Sequence, residues 1–405
     1  MNDLLHNFLE IRKKTLDICN RLEREDFVVQ PTPFVSPIKW HIGHVTWFFD
    51  TLIVQKVFPN FKSDFSLYNK VFNSYYKSQG EHWTQGQRGD LSRPTLDKIL
   101  DHRKRVDSAI VEIFNSSKLT KDIEDLIIIG INHEEQHQEL ILMDIKYILF
   151  QNIEKPIYEN NSLPTIKNEK KNKSFLLEEG VYEIGHHGAS FSYDNELPTH
   201  KVYLHGCELD NQFVTNEEYL NFINDKAYQN TSLWLSDGWD WIQENNITHP
   251  LYWRKTSTGW KEFTLHGEQN LEHTNPVSHI SYYEADAFAK WSGKRLPYES
   301  ELELSYKSQI NNEYDKLDKT FHSTNPKQLE RNLWTWTQSP YTAYPGYKPF
   351  DGDIREYNGK FMCNQFVLRG GCLFNSPRHY RKSYRNFYRP DQNWMFSGIR
   401  LAKDL

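Results

Sequence analysis

The sequence predicts two domains, an all-α domain followed by an α+β domain. At 405 residues the chain is long for one domain and sufficient for two. Apolar residues recur at helical spacing through residues 1–152, whereas from residue 175 onward short strand-like pieces alternate with Gly, Asn, Asp and Pro. Residues 153–174 are polar, contain prolines and lack an apolar period. We therefore expect domains at 1–152 and 175–405, joined by a linker at 153–174.

Four helices account for the first domain. We predict them over residues 2–24, 38–58, about 95–115 and 122–151, each with an apolar face. Ser36 and Pro37 mark the start of the second helix, because serine caps a helix N-terminus and proline suits the first turn. Helices of this length, with metal ligands offered from facing helices, describe a four-helix bundle.

Three histidines on two of these helices are candidate metal ligands. His133 and His137 are one turn apart, on a stripe that is otherwise apolar, and His44 also faces inward. A hydrogen-bonded core histidine is the plain structural explanation for any one of them, since an unsatisfied buried imidazole costs roughly 1–3 kcal/mol. Two at this spacing beside carboxylates favour a metal ion. Three neutral imidazoles would leave coordination positions open, and the sequence leaves the role of His41 undecided.

The same stretch also matches the zinc-peptidase pattern H-E-x-x-H. In that interpretation Glu134 is the general base, and spacing alone offers Glu154 or Glu159 as a third, downstream ligand. Both of these lie in the predicted linker, which is a poor place for a rigid ligand, so the third ligand is better sought upstream. A lectin-like binding module that keeps metal ligands without catalysis is a further alternative.

The second half is predicted to contain short elements and much irregular chain. Its clearest helices fall over residues 216–224, capped by Thr215, and 282–292. Strand-like pieces are found at 181–184, 201–204 and 366–368. Aromatic residues make up 15% of the chain, so we expect cores built around Trp, Tyr and Phe.

Charge and composition restrict the function classes. The formal net charge is −6 with both signs mixed along the chain, which argues against a nucleic-acid surface. No run approaches the ~18–20 apolar residues of a membrane span, and the first residues do not form a signal peptide. The 4 cysteines show no paired spacing. These features indicate a reduced cytoplasmic protein without a membrane partner.

Nine short segments carry a resemblance to a known family. They are residues 40–49 and 132–139 in the first half, and 194–200, 214–216, 281–285, 294–297, 368–371, 384–387 and 398–402 in the second. Taken together and in order, they resemble the ergothioneine-biosynthesis family of iron-dependent sulfoxide synthases, and the resemblance covers nearly the whole chain. It implies a DinB-like four-helix bundle followed by a formylglycine-generating-enzyme-like domain, which is a variant of the C-type-lectin-like fold.

The resemblance implies an enzyme that uses Fe(II) and O2 to join a sulfur atom to the imidazole C2 of hercynine, Nα-trimethylhistidine, giving a sulfoxide. The three-histidine face fits this independently. By resemblance Gln136 hydrogen-bonds and orients the hercynine ring, although a solvated glutamine is the plain alternative. Asn386 and Phe387 are the C-terminal candidates for hercynine contacts, because aromatic faces suit a quaternary ammonium group.

The sulfur donor divides this family. The run from Arg385 to Tyr388 lacks the acidic residue found in subfamilies that take γ-glutamylcysteine, so the chain resembles members that take free cysteine. That resemblance puts Tyr75 and Tyr76 at the iron, where one can supply a proton or hydrogen atom; aromatic packing is the alternative.

Two arginines are candidates to clamp the cysteine carboxylate. Arg88 and Arg93 carry guanidinium groups, which bind carboxylates bidentately, whereas surface salt bridges are the alternative. Segments such as residues 369–372, Arg-Gly-Gly-Cys, depart from the family pattern in the second domain. A relative that uses γ-glutamylcysteine, a selenium donor or histidine, as in ovothiol synthesis, therefore remains an alternative.

Overall fold

The computed structural model describes residues 3–163, 174–308 and 320–405. The chain forms two compact units, one made of Met1–Tyr158 with Phe350–Tyr357 and the other of Glu159–Pro349 with Asn358–Leu405. A short segment from the second half of the sequence thus packs with the first unit, which no sequence pattern indicated. The boundaries predicted at residues 152 and 175 stay predictions, and residues 164–173 of the expected linker lie outside the described part.

The first unit is helical, as predicted. Its α-helices are α1 (Asp3–Cys19), α2 (Ile38–Phe49), α3 (Gln55–Val57), α4 (Asn69–Phe72), α5 (Leu96–Phe114) and α6 (Lys121–Gln151). The long helix α6 packs against α1 and α2, and α2 also packs against α5, so these four form the bundle. Each of the four contributes buried apolar side chains, and α6 is buried along most of its length.

Capping residues set the starts of two bundle helices. The hydroxyl of Thr95 accepts from the backbone N–H of Lys98, and that of Thr120 accepts from Ile123. Each hydroxyl satisfies a donor that the first helical turn leaves without a backbone partner.

The helix predicted over residues 38–58 is interrupted by a wider turn. After α2 the chain makes a π-helical turn, Asp50–Val54, and then continues as α3. Asp50 at this turn is fully buried, and its Oδ2 lies 2.8 Å from Nε2 of His102 on α5. A single-turn widening of this kind inserts one extra residue without ending the helix.

In its described residues, the second unit contains four small sheets and four α-helices. The helices are α7 (Asn216–Asn224), α8 (Ser236–Glu244), α9 (Tyr282–Trp291) and α10 (Glu299–Ser308). The strands are β1 (Phe175–Leu177), β2 (Gly180–Ile184), β3 (His200–Leu204), β4 (Cys207–Leu209), β5 (Trp253–Thr256), β6 (Gly259–Thr264), β7 (Gly267–Asn270), β8 (Trp334–Pro340), β9 (Phe366–Arg369), β10 (Asn386–Tyr388), β11 (Ser397–Gly398) and β12 (Ala402–Asp404). The sheets have the orders β1-β4-β12, β10-β9-β8-β11, β2-β3 and β5-β6-β7.

Aromatic packing and buried ion pairs hold these short elements together. β8 and β9 pair antiparallel, with Trp336 opposite Leu368. Arg369 at the end of β9 pairs with Glu303 of α10, and both side chains are fully buried. The prediction of an α+β second domain built around aromatic residues is confirmed.

Among the described residues, none of the helices combines the length and the apolar character needed to cross a lipid bilayer.

Candidate metal centre

Three histidines from two bundle helices converge at the middle of the first unit. His44 lies on α2, and His133 and His137 lie one turn apart on α6. Their potential ligand nitrogens all lie within 4.8 Å of one another, and Nε2 of His44 is 3.1 Å from Nε2 of His133. All three side chains are buried. This geometry is suited to holding one metal ion.

A glycine allows the two helices to approach closely enough for this. Gly130 of α6 lies one turn before His133, and a Cβ atom there would be 2.6 Å from a ring atom of Phe49 on α2. A larger residue would therefore force the Phe49 ring or one of the two helices to shift. The Phe48 ring, also on α2, packs against the His133 ring with centroids 4.8 Å apart.

The Nδ1 atoms of the three rings have different hydrogen-bond surroundings. His44 Nδ1 donates to the backbone carbonyl of Phe72 at 2.6 Å, which leaves Nε2 as the nitrogen with a lone pair. His137 Nδ1 lies 2.8 Å from Nδ1 of His41. His133 Nδ1 has no hydrogen-bond partner among the described residues.

Burial keeps the three rings neutral. Desolvation lowers the pKa of His133 to about 3. Desolvation, followed by the neighbouring histidines, lowers the pKa of His44 and His137 well below its ordinary value. A neutral imidazole offers a lone pair to a metal ion, so the chemistry of this donor set fits a divalent metal.

Glu134 faces away from the histidines. Its carboxylate pairs with Arg12 at 2.8 Å and with Arg103, and it accepts from the Thr15 hydroxyl at 2.6 Å. Burial alone would raise the pKa of Glu134, but the two guanidinium groups lower it to about 2. A carboxylate held in this way is a poor general base, so the arrangement does not favour the zinc-peptidase interpretation.

The predicted substrate residue Gln136 is half-buried and has an aromatic neighbour. Its Oε1 accepts from the hydroxyl of Tyr357 at 2.6 Å, and the Tyr357 ring lies 6.0 Å from the ring of His133. Tyr357 belongs to the segment Phe350–Tyr357 that packs in the first unit. Sequence reasoning missed it, because no local pattern marks a tyrosine more than 200 residues from its neighbours.

Tyr75 and Tyr76 form a stacked pair. Their ring centroids are 4.5 Å apart and their hydroxyl oxygens 3.5 Å apart. Tyr76 is fully buried, and its ring is 5.8 Å from Trp47, which in turn stacks near His44. Burial, followed by the Tyr75 and Tyr357 hydroxyls, raises the pKa of Tyr76 well above its ordinary value, so Tyr76 is a protonated phenol.

The two candidate arginines differ in burial. Arg88 is buried, with its guanidinium carbon 3.3 Å from the centre of the Trp40 ring, and Trp40 stacks on His44 at 4.8 Å. Its Nη1 donates to the Ser36 hydroxyl at 2.9 Å, while its Nε has no partner among the described residues. Arg93 is exposed and bonds to its neighbour Ser92.

Asn386 and Phe387 lie on β10 in the second unit. Asn386 Oδ1 accepts from the backbone N–H of Phe387 at 2.9 Å, and the Phe387 ring stacks on Tyr341 with centroids 4.0 Å apart. Their assignment to hercynine stays a prediction, as do the roles of Gln136 and Arg93.

Comparison with known proteins identifies relatives of both halves. The DinB superfamily matches residues 7–141, and the sulfatase-modifying factor enzyme 1-like domain matches residues 160–405. Hercynine oxygenase of Mycobacterium tuberculosis is 26% identical, with 97% of each chain covered. Hercynine oxygenase of Mycolicibacterium smegmatis is 28% identical over 68% of this chain and 71% of its own. Ergothioneine biosynthesis protein 1 of Schizosaccharomyces pombe is 25% identical over 53% of this chain and 28% of its own.

Proposed function

The chain belongs to the ergothioneine-biosynthesis sulfoxide synthase family, whose members are oxygenase-type enzymes, and we propose that it joins cysteine sulfur to C2 of the hercynine imidazole. The reaction uses Fe(II) and O2 and gives hercynylcysteine sulfoxide. The hercynine oxygenases among the relatives support hercynine as the substrate. The observation that carries the proposal is the buried triad of neutral imidazoles together with Arg88, which stacks on the Trp40 ring that in turn stacks on His44. The Nε of Arg88 has no hydrogen-bond partner among the described residues.

His44, His133 and His137 would hold the iron. Three neutral ligands leave the charge of the ion uncompensated by protein, which suits a site that binds an anionic thiolate. Bound Fe(II) supplies open positions at which substrates and O2 meet, and proximity of this kind can be worth roughly 7–11 kcal/mol.

Gln136 is the residue proposed to orient hercynine. Its amide oxygen accepts from Tyr357, whose ring lies 6.0 Å from the His133 ring, and this hydrogen bond fixes the amide orientation. Asn386 and Phe387 stay proposed as hercynine-contacting residues, because an aromatic face attracts a trimethylammonium group.

Arg88 supports cysteine as the sulfur donor. Burial lowers the pKa of Arg88 to about 9, with nearby Asp144 opposing the shift, so its guanidinium lacks adequate compensation for lost solvent. A substrate carboxylate would supply both the charge and the missing acceptor for Nε. Arg93, at the surface, is the second candidate for this contact.

Arg385 offers little to a longer donor such as γ-glutamylcysteine. Its Nε and Nη2 donate to the two carboxylate oxygens of Glu299 at 2.8 and 3.0 Å. The remaining Nη1 donates to the backbone carbonyl of Asn195. A guanidinium bonded in this manner is structural, and this favours free cysteine.

The Tyr75 and Tyr76 pair is proposed to supply the proton or hydrogen atom that the reaction requires. Both phenols are on one short segment, and the backbone N–H of Tyr76 donates to Asn73 Oδ1 at 2.8 Å, which fixes the segment. A phenol kept protonated by burial is a suitable donor.

Oxygen uptake is the test. Anaerobically purified protein loaded with Fe(II) should consume O2 when hercynine and cysteine are both present, and His44→Ala and His133→Ala should each abolish metal binding and uptake. Uptake only with γ-glutamylcysteine, a selenium donor or histidine would overturn the choice of substrates. Stoichiometric zinc with peptidase activity that requires Glu134 would overturn the reaction class.

A further inference from the structure

His41 links one candidate metal ligand to a buried carboxylate. Its Nδ1 is 2.8 Å from Nδ1 of His137, and its Nε2 is 2.9 Å from Oδ2 of Asp144. The three side chains are 3%, 7% and 2% exposed respectively, so water does not compete for these bonds. The result is an unbroken chain of hydrogen bonds from Asp144 to the triad.

The carboxylate end of this chain determines its direction. Oδ2 of Asp144 also accepts from the backbone N–H of Ser36 at 2.9 Å, so this oxygen acts as an acceptor. A neutral His41 must then carry its single ring hydrogen on Nε2, which leaves Nδ1 with a lone pair. Consequently His137 donates from Nδ1, and its own lone pair is on Nε2, the nitrogen available to a metal.

The other two rings of the triad are held differently. A backbone carbonyl fixes the tautomer of His44, and Nδ1 of His133 has no partner in the described part of the chain. Within the triad, only Nδ1 of His137 is hydrogen-bonded to another side chain. His41 is therefore more than a packing residue beside the site.

We propose that His41 and Asp144 are positioning residues that hold His137 as the Nδ1–H tautomer and so present its Nε2 to the metal. The inference rests on the proposed function for the identity of the metal, but the tautomer itself is a property of the metal-free protein. Partners that orient a metal-ligating histidine typically change metal affinity by roughly 10–100-fold when they are removed.

His41→Phe removes both nitrogens and keeps a ring of similar size. We expect it to weaken Co(II) or Fe(II) binding roughly 10–100-fold and to alter the visible absorption bands of the Co(II) protein. Asp144→Leu, which removes the acceptor at the far end, should act in the same direction and replaces His41→Phe if that variant does not fold. Asp144→Asn keeps an acceptor oxygen for His41 and should therefore retain most of the metal affinity of the wild type.

A second buried histidine–carboxylate pair in the same bundle provides the control. His102 Nε2 lies 2.8 Å from Asp50 Oδ2, both side chains are fully buried, and the described residues show no hydrogen bond from either to His44, His133 or His137. His102→Phe should destabilise the fold to a comparable extent and leave the Co(II) affinity and spectrum of the folded protein unchanged.

Nitrogen NMR of metal-free protein labelled with 15N-histidine reads the tautomer directly. His137 should show a protonated Nδ1 in the wild type and in Asp144→Asn, and a mixture of tautomers in His41→Phe and Asp144→Leu. An unchanged tautomer in His41→Phe and Asp144→Leu, or equal losses of metal affinity in Asp144→Asn and Asp144→Leu, would overturn the proposal. If the wild type binds no metal but shows this tautomer pattern, His41 and Asp144 still hold the tautomer of His137 and only the proposed function is wrong.

Discussion

Replacing Arg88 by methionine should separate recognition of the cysteine carboxylate from the rest of the reaction. Methionine keeps an apolar side chain over the Trp40 ring, where the guanidinium carbon now lies at 3.3 Å, and removes the charge. A hydrogen bond to a charged group contributes about 1.5–3 kcal/mol, which corresponds to roughly 10- to 100-fold in affinity. We therefore expect KM for cysteine to rise by that factor, while KM for hercynine and kcat change little.

A substrate without a carboxylate makes the assignment specific. Wild-type protein should prefer cysteine over cysteamine by roughly 10- to 100-fold in kcat/KM, and Arg88→Met should lose most of that preference. Oxygen uptake measured over a range of each thiol, at saturating hercynine, gives both ratios.

Arg93→Met distinguishes the two candidate arginines, because Arg93 carries the same group on the protein surface. We expect about a fivefold change or less in its preference for cysteine over cysteamine, since a solvent-exposed charge contributes about 1 kcal/mol or less. If Arg88→Met retained the full preference, or if Arg93→Met lost it, the reasoning from burial and the missing Nε partner would be wrong.

Three further predictions concern residues of the first unit. Folding lowers the pKa of Glu134 from 4.5 to about 2, so its ionised carboxylate contributes about 3 kcal/mol to the free energy of unfolding above pH 4.5. This contribution is lost as the pH falls toward 2. Urea unfolding of Glu134→Gln should therefore show a lower free energy of unfolding at pH 7 and a smaller loss on acidification. Replacing Tyr75 and Tyr76 together by Phe should lower kcat by roughly 10²- to 10⁴-fold with KM little changed, and an unchanged kcat would exclude the phenols. Gly130→Ala should weaken metal binding by displacing the Phe49 ring or separating α2 from α6, whereas Gly180→Ala, where an added Cβ would meet its nearest atom at 3.5 Å, should not.

Helical periodicity in the sequence is enough to predict that the three metal ligands face the interior of the bundle. His133 and His137 share a face because they are four residues apart, and His44 points inward because its helix is apolar on that side. Whether α2 and α6 cross at these residues depends on Gly130, whose importance appears only when a Cβ is placed against Phe49.

Residues that enter the site from a distance could not be predicted. Tyr357 lies on the irregular segment Phe350–Tyr357, which has no helical or strand period from which to infer a direction. Asp144 is on the predicted helix, but nothing in the spacing shows that it bonds to His41 on another helix. Contacts of this type depend on tertiary packing, which local sequence patterns do not predict.

Buried polar groups on α6 account for the register of the triad. An apolar core tolerates sliding of one helix past another, whereas a buried charge without its partner costs several kcal/mol. Glu134 fixes α6 to α1 and α5 through Arg12 and Arg103, and Asp144 fixes it to α2 through His41. These two carboxylates lie on either side of His137, so a shift of α6 by one residue would break both sets of bonds at once. The convergence of the histidines is thus maintained by polar contacts on the opposite and adjoining faces of the helix, which explains why so costly a set of charges is present in a helical bundle.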